Sequence, residues 1–326
     1  MKILITGAGG YVGSELVRYL IENTNYKIIA YDLFIYEVNI FLDIDNRNLK
    51  IVTGDIRDNN LLNEALKGVD ICIHLACISN DPSFDLNPNL GKSINYDCFP
   101  SIIRSCKNNG IKRFIYASSS SVYGVSEQSN VEENSKKNPL TDYSKYKLLC
   151  EEILLNEINN DFQSIIIRPA TVCGFSKRLR LDLVVNIFVS HAYFNKKITI
   201  FGGNQLRPNI NIRDMIRAYA MLIELDYDNY NGSIYNCGFD NLSLNDIADL
   251  VVKNMGEQIE VIHTLTDDNR SYHISSDKIK REINFKPKYD INDAINDLIK
   301  NFRHINNPFK IEKYFNIKLM QNINLK

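Results

Sequence analysis

The chain has 326 residues, 44 % of them apolar, and a formal charge of −1 with acids and bases intermixed. That balance gives no electrostatic reason for a nucleic-acid or anionic-membrane partner and leaves small molecules as the expected ligands. The length exceeds that of most single cores and predicts a large domain beside a smaller one. The seven cysteines, odd in number and without paired metal-ligand spacing, read as reduced thiols of a cytoplasmic protein with no metal site.

The first residues run from one lysine through a short apolar stretch into glycines, unlike a secretory signal, and no apolar run approaches transmembrane length. Lys2 to Thr6 is the first of several short β-rich runs. The others are Lys27 to Asp32, Leu49 to Thr53, Ile71 to Leu75, Arg113 to Ala117 and Ser164 to Arg168. Between them Ser14 to Asn23, Asn60 to Lys67, Asn95 to Asn108 and Tyr143 to Ile158 read as helices. Alternation of this kind predicts an α/β fold, a Rossmann-type doubly wound parallel sheet with its site at the carboxyl ends of the strands.

Taken in order, the chemistry-bearing segments begin with Thr6-Gly7-Ala8-Gly9-Gly10-Tyr11-Val12-Gly13, which links the first strand to the first helix. Gly7, Gly10 and Gly13 suit a tight turn, close approach of a pyrophosphate to backbone amides, and close helix-to-strand packing. Asp32 ends the second strand about 20 residues further on, where a carboxylate accepts the adenosine ribose diol and repels a 2′-phosphate, favouring NAD over NADP. A solvated turn acid is the plainer reading of Asp32 taken alone. Asp55, after the third strand, is placed to take the adenine amino group or to cap a helix.

The serines Ser118 to Ser121 follow the fifth strand, and Tyr143 and Lys147 stand four residues apart. On a helix that spacing puts both on one face, about one 5.4 Å turn apart, where an ammonium can favour a tyrosinate. Singly, the tyrosine could be an ordinary amphipathic-helix residue and the lysine a solvated cation. After Pro169 the alternation weakens. The main change falls near residue 172, giving a Rossmann domain over 1–172 and a mixed α/β substrate domain over 173–326. Asn209 to Leu225 and Ser233 to Gly238 look like a helix and a strand returning to the first domain. Ser176 to Asn186 combines Lys177, Arg178 and Arg180 with Asp182 and Asn186, and Ser243 to Met255 reads as a capped helix.

The ordered set TGAGGYVG, Asp32, GDIRD, HLAC, YASSSSVYG, Tyr143 with Lys147, and IRPATVCG resembles the extended short-chain dehydrogenase/reductases, particularly the nucleotide-sugar epimerases and dehydratases. The segments FGGNQLRPNINIRDM and DDNRSYHISSDKIKREINFKPK extend the resemblance over nearly the whole chain. It implies Tyr143 as the base that takes a sugar hydroxyl proton as hydride leaves the same carbon for NAD, Lys147 as the nicotinamide-ribose contact that lowers the tyrosine pKa, and Ser119 as the catalytic hydroxyl. Cofactor contacts implied with it are Gly7, Gly10, Tyr11, Val12, Gly13, Asp32, Asp55, Ile56, Leu75, Ala76, Cys77, Asn95, Tyr143, Lys147 and Pro169.

For a nucleoside-diphosphate sugar the implied contacts are Asn80, Asp81, Ser119, Ser120, Arg180, Asn186, Arg207 and Arg270, with the arginines suited to phosphate. Arg180 could instead serve only to orient its loop through Asp182. Dehydratases of this family need an acidic pair after the catalytic hydroxyl, where this chain has Ser120 and Ser121, so 4,6-dehydration is disfavoured. The expected activity is NAD-dependent epimerisation by transient oxidation at C4. A net C4 oxidase or ketosugar reductase and a noncatalytic dinucleotide sensor remain as alternatives. The resemblance also implies a homodimer through the Asn95 to Asn108 and Tyr143 to Ile158 helices.

Overall fold

A computed structural model describes residues 1–126, 130–266, 271 and 273–322. Twelve strands are present among them: β1 (Lys2–Thr6), β2 (Lys27–Asp32), β3 (Leu49–Thr53), β4 (Ile71–His74), β5 (Arg113–Ala117), β6 (Gln163–Pro169), β7 (Thr171–Cys173), β8 (Lys197–Phe201), β9 (Leu206–Asn211), β10 (Ser233–Cys237), β11 (Asp240–Ser243) and β12 (Glu260–Thr264). Seven of these form one parallel sheet in the order β10-β6-β5-β4-β1-β2-β3. The smaller part carries a three-stranded sheet, β11-β9-β7, and a two-stranded one, β12-β8.

The period of two along each strand divides the core between the sheet's faces. Ile3, Ile5, Ile71, Ile73 and Ile115 join one buried cluster with Leu16 and Leu20 of the Tyr11–Asn23 helix and Met215 and Leu222 of the Ile212–Glu224 helix. Leu4, Cys72, Phe114 and Tyr116 face the other way, toward Leu62, Ile102 and Leu154 of the helices Asn59–Leu66, Phe99–Asn108 and Asp142–Glu157. Burial on both faces explains why these strands are nearly continuously apolar. A third cluster lies between the helices Val184–Asn195, Leu244–Met255 and Ile291–Phe302.

Two expected helices are shorter than the sequence suggested. A π-helical turn occupies Ser93–Asp97, and the α-helix begins only at Phe99, with Pro100 in its first turn. Proline lacks the amide that an interior position would need and its ring clashes with the preceding turn, so the helix starts there. Asn209 to Asn211 belong to β9, and the following helix begins at Ile212 because the Asn211 side chain accepts the Arg213 amide at 3.0 Å. No helix among the described residues is long and apolar enough to cross a membrane.

The strand order reverses on either side of β1, whose carboxyl end therefore opens into a crevice between the loops after β2 and β4. Thr6 and His74, the last residues of β1 and β4, share a 2.8 Å hydrogen bond that fixes the floor of this crevice. Burial pushes the His74 imidazole down to about 3, with the Lys147 cation adding to the effect. A depressed pKa means that the unfolded chain takes up the proton first, so this contribution to stability is present above pH 6.5 and is lost as the pH falls toward 3. At the linkage slope of about 1.4 kcal/mol per pH unit, roughly 2 kcal/mol disappears between pH 6.5 and 5. Histidine NMR should show His74 still neutral at pH 5; a midpoint near the ordinary value contradicts this packing.

Candidate active site

A cleft of about 590 Å³ opens at the carboxyl ends of the sheet strands and reaches into the smaller part. Its floor is the glycine loop. Gly7 has a φ of +72°, and a Cβ there would lie 2.6 Å from the Ala76 amide nitrogen, so only glycine lets the turn pass the loop after β4. A Cβ on Gly13 would strike the Gly7 carbonyl. Gly10 ends the turn without a side-chain cap for the Tyr11–Asn23 helix, whose first residues, Tyr11, Val12 and Gly13, line the cleft. An uncapped helix start of this kind offers free amides and a positive dipole end to a pyrophosphate.

Asp32 stands beside this floor. Its Oδ2 accepts the Gly9 amide at 2.9 Å and its Oδ1 the Phe34 amide at 2.6 Å, leaving further lone pairs for a diol. Burial raises its pKa, while the Phe34 and Gly9 amides and the Arg178 cation oppose the rise. Asp55 and Ile56 border the same end of the cleft. The Asp55 carboxylate is held by Arg57 in a 2.7 Å ion pair, and its backbone carbonyl accepts the Tyr31 hydroxyl. Leu75, Ala76, Cys77 and Pro169 line the cleft as well.

Across from the glycine loop, Thr141 and Ser144 form a reciprocal capping box that starts the Asp142–Glu157 helix. Tyr143 and Lys147 then face the cleft one turn apart, and Ser119 lines it from the end of β5. Ser119 Oγ accepts both the amide and the hydroxyl of Ser121, at 3.1 and 2.9 Å. Burial pushes the Tyr143 hydroxyl well above its usual range, and Cys77 and Asp81 add to this; Arg180 and a hydrogen bond with Ser119 pull it down without offsetting the burial. The expected depression of Tyr143 by Lys147 is not the outcome. Lys147 donates to the Ala117 carbonyl at 2.7 Å, and its Nζ is 5.9 Å from the Tyr143 ring centroid.

The far wall is polar. Asn80, with a φ of +81°, donates to Asp182 at 2.5 Å and accepts the Ser83 amide, and Arg180 grips Asp182 at 2.8 Å. Asp81 accepts the Thr141 hydroxyl at 2.6 Å. Ser120 and Arg207 also line the cleft, whereas Arg270 lies outside the described residues.

Two expected ligand contacts have other roles. Asn186 is fully buried. Its Oδ1 accepts the Gly174 amide, and its Nδ2 reaches the Arg180 carbonyl and the Tyr11 hydroxyl, so it orders the Gly174–Arg180 loop rather than meeting substrate. Asn95 spends its amide on both backbone groups of Ile78, at 2.8 and 3.0 Å, and fixes the loop behind Cys77 from outside the cleft.

Sequence reasoning did not select Tyr36, Arg178, Tyr219, Ile317 or Met320, all of which line the cleft. The charge run around Arg178 was visible. Nothing in the periodicity of the last helix, Asn316–Asn322, indicates that it returns to the dinucleotide side.

A doubly wound sheet with a glycine cradle, a ribose-side carboxylate and a tyrosine–lysine–serine wall defines an extended short-chain dehydrogenase/reductase. The model of the NAD dependent epimerase/dehydratase family matches residues 3–238, and the chain belongs to that family, with NAD as its cofactor. It is 30 % identical over 311 residues to a putative UDP-glucose 4-epimerase of Methanocaldococcus jannaschii, spanning 91 % of this chain and 97 % of that protein. It is also 30 % identical over 273 residues to a dTDP-D-glucose 4,6-dehydratase of Dictyostelium discoideum, spanning 77 % of this chain and 61 % of that protein. Among solved structures, UDP-glucuronic acid 4-epimerase from Bacillus cereus, in complex with UDP-glucuronic acid and NAD, superposes with a TM-score of 0.85 at 25 % identity, covering 94 % of this chain and all of that one (100 %).

The cradle and Asp32 fit this dinucleotide. Asp32→Ala should weaken NAD at least ~10-fold and NADP less, since only the unphosphorylated ribose diol uses the carboxylate. Calorimetric titration of both dinucleotides checks it, and equal losses contradict the ribose contact.

Proposed function

We propose that this protein is a nucleotide-sugar 4-epimerase. The observation that carries the reading is the shared wall of Tyr143, Ser119 and Lys147 opposite the glycine loop, with serines and no carboxylate in the run that follows Ser119. Both 4-epimerases and 4,6-dehydratases stand among its relatives. Dehydration would require a group at Ser120 or Ser121 able to exchange a proton with the neighbouring exocyclic carbon's hydroxyl, and serine has no such acidity near neutral pH.

In the forward half-reaction the Tyr143 phenolate takes the proton of the sugar's C4 hydroxyl, and Ser119 holds the same oxygen by a hydrogen bond. NAD held by the glycine loop and Asp32 would supply the acceptor for the C4 hydride. Lys147, anchored on the Ala117 carbonyl, would hold the nicotinamide ribose. After the keto sugar turns over, the hydride returns to the opposite face of C4 and Tyr143 gives its proton back to the oxygen, so mass and redox state are unchanged. Asn80, Asp81 and Arg180 would contact the sugar, and Arg207 the diphosphate.

Tyr143→Phe should bind NAD normally and lose turnover by about 10²–10⁴-fold, the usual worth of a general base. Unchanged turnover rejects Tyr143 as the base. Substrate is identified by incubating the purified protein with a panel of nucleotide sugars, UDP-glucose and UDP-glucuronic acid included, and reading products by mass spectrometry and proton NMR. Epimerisation gives a mass-neutral product; a change of two hydrogens would instead establish net oxidation or reduction.

A further inference from the structure

Arg178 is the most unusual charged residue of the cleft. Only 3 % exposed, it leaves Nε and Nη1 without a hydrogen-bond partner among the described residues, although it lines the cleft wall. Its guanidinium carbon lies 3.7 Å from the centroid of the Tyr36 ring, and Nη2 donates to the Asn316 side-chain oxygen. Asn316 in turn donates to the Ser79 hydroxyl at 3.0 Å. Tyr36 belongs to the loop after β2 and Ser79 to the loop after β4, and these two loops flank the end of β1. Nearby Ser176 donates to the Tyr11 carbonyl at 3.1 Å, tying the segment to the glycine loop. A guanidinium held between the flanking loops therefore lines the same cleft as the helix start on which a pyrophosphate would rest.

We propose that Arg178 forms the second half of the dinucleotide pyrophosphate site, closing on it from the side opposite the glycine loop. A buried cation with two idle donors is costly until an anion supplies acceptors, and the planar fork of arginine presents parallel hydrogen bonds to phosphate oxygens. Burial pushes its pKa down to about 10, with the Arg180 cation adding to the fall and Tyr36 and Asp182 opposing it only in part. Asn316 sets the orientation of the fork, so the carboxyl-terminal Asn316–Asn322 helix acts as a latch on the cofactor. This inference rests on NAD binding alone and stands whatever sugar is turned over.

The test uses the full chain stripped of nucleotide, with NAD, ADP-ribose and UDP titrated by calorimetry and adenosine by ligand-observed NMR. Arg178→Met should weaken NAD and ADP-ribose at least ~10-fold while leaving adenosine and UDP within about twofold. Arg178→Lys, which keeps the charge and loses the fork, should fall between the two; it carries the test alone if the methionine variant does not fold. Unchanged ADP-ribose affinity, or equal losses for adenosine and ADP-ribose, overturns the proposal. A loss confined to UDP assigns the arginine to the sugar's diphosphate and overturns it as well.

Discussion

The wall that carries Ser119, Tyr143 and Lys147 depends on one buried ion pair. Glu151 and Arg168 are 2 % and 1 % exposed and meet at 2.5 Å, with a second contact of 2.9 Å from Arg168 Nε. Glu151 lies on the helix that carries Tyr143 and Lys147, and Arg168 immediately precedes Pro169 at the end of β6. The Ser118 hydroxyl donates to the same carboxylate, one residue before Ser119. Arg168 also donates to the Tyr123 hydroxyl at 2.7 Å, and Tyr123 to Asn236 on β10 at 2.6 Å. A single network thus fixes the helix, the end of β5 and the end of β6 relative to one another. Such a pair adds little net stability over an apolar substitute, yet removing one member costs about 3–5 kcal/mol by stranding the other charge. Its value here is positional: it holds the Tyr143–Lys147 helix, the end of β5 that leads to Ser119 and the end of β6 in register.

The dinucleotide side is built differently, from close backbone approach rather than charge. Glycine at position 7 lets the first turn lie against the loop after β4, the Thr6–His74 bond joins the strand ends, and Asn95 pins Ile78 just beyond Cys77. These contacts bring β1 and β4 together at the point where the strand order reverses. The two walls face each other across the cleft, so a hydroxyl on one and a dinucleotide on the other can meet at one carbon atom. Burial keeps Tyr143 protonated without ligands, and Arg180 and the Ser119 hydrogen bond oppose that burial only in part.

Much of this was legible in the sequence because it is local. Four of the seven expected strands coincide with observed ones from end to end, since short β-rich runs bounded by turn residues are marked locally. The Tyr143–Lys147 spacing is legible for the same reason, one turn of a helix whose cap lies two residues upstream. Long-range satisfaction of polar groups was not legible. Asn186 and Asn95 look like ligand contacts in a list of residues, but each has its amide consumed by backbone brought from elsewhere in the chain. Arg178 is the reverse case, a cation in a surface-like charge run that tertiary packing buries beneath Asn316, 138 residues away. Pro100 was a local signal that the apolar periodicity around it obscured.

The central claim is that C4 of a nucleotide sugar is oxidised and reduced again within one cleft. Nucleotide sugar carrying deuterium at C4, turned over in ordinary water by the NAD-loaded protein, tests it directly by NMR of the product. The deuterium should remain on C4 of the inverted sugar, with no hydrogen from solvent at C4 or C5. Solvent hydrogen at C4, or a label moved to C6, would contradict transient oxidation at that carbon as the whole reaction.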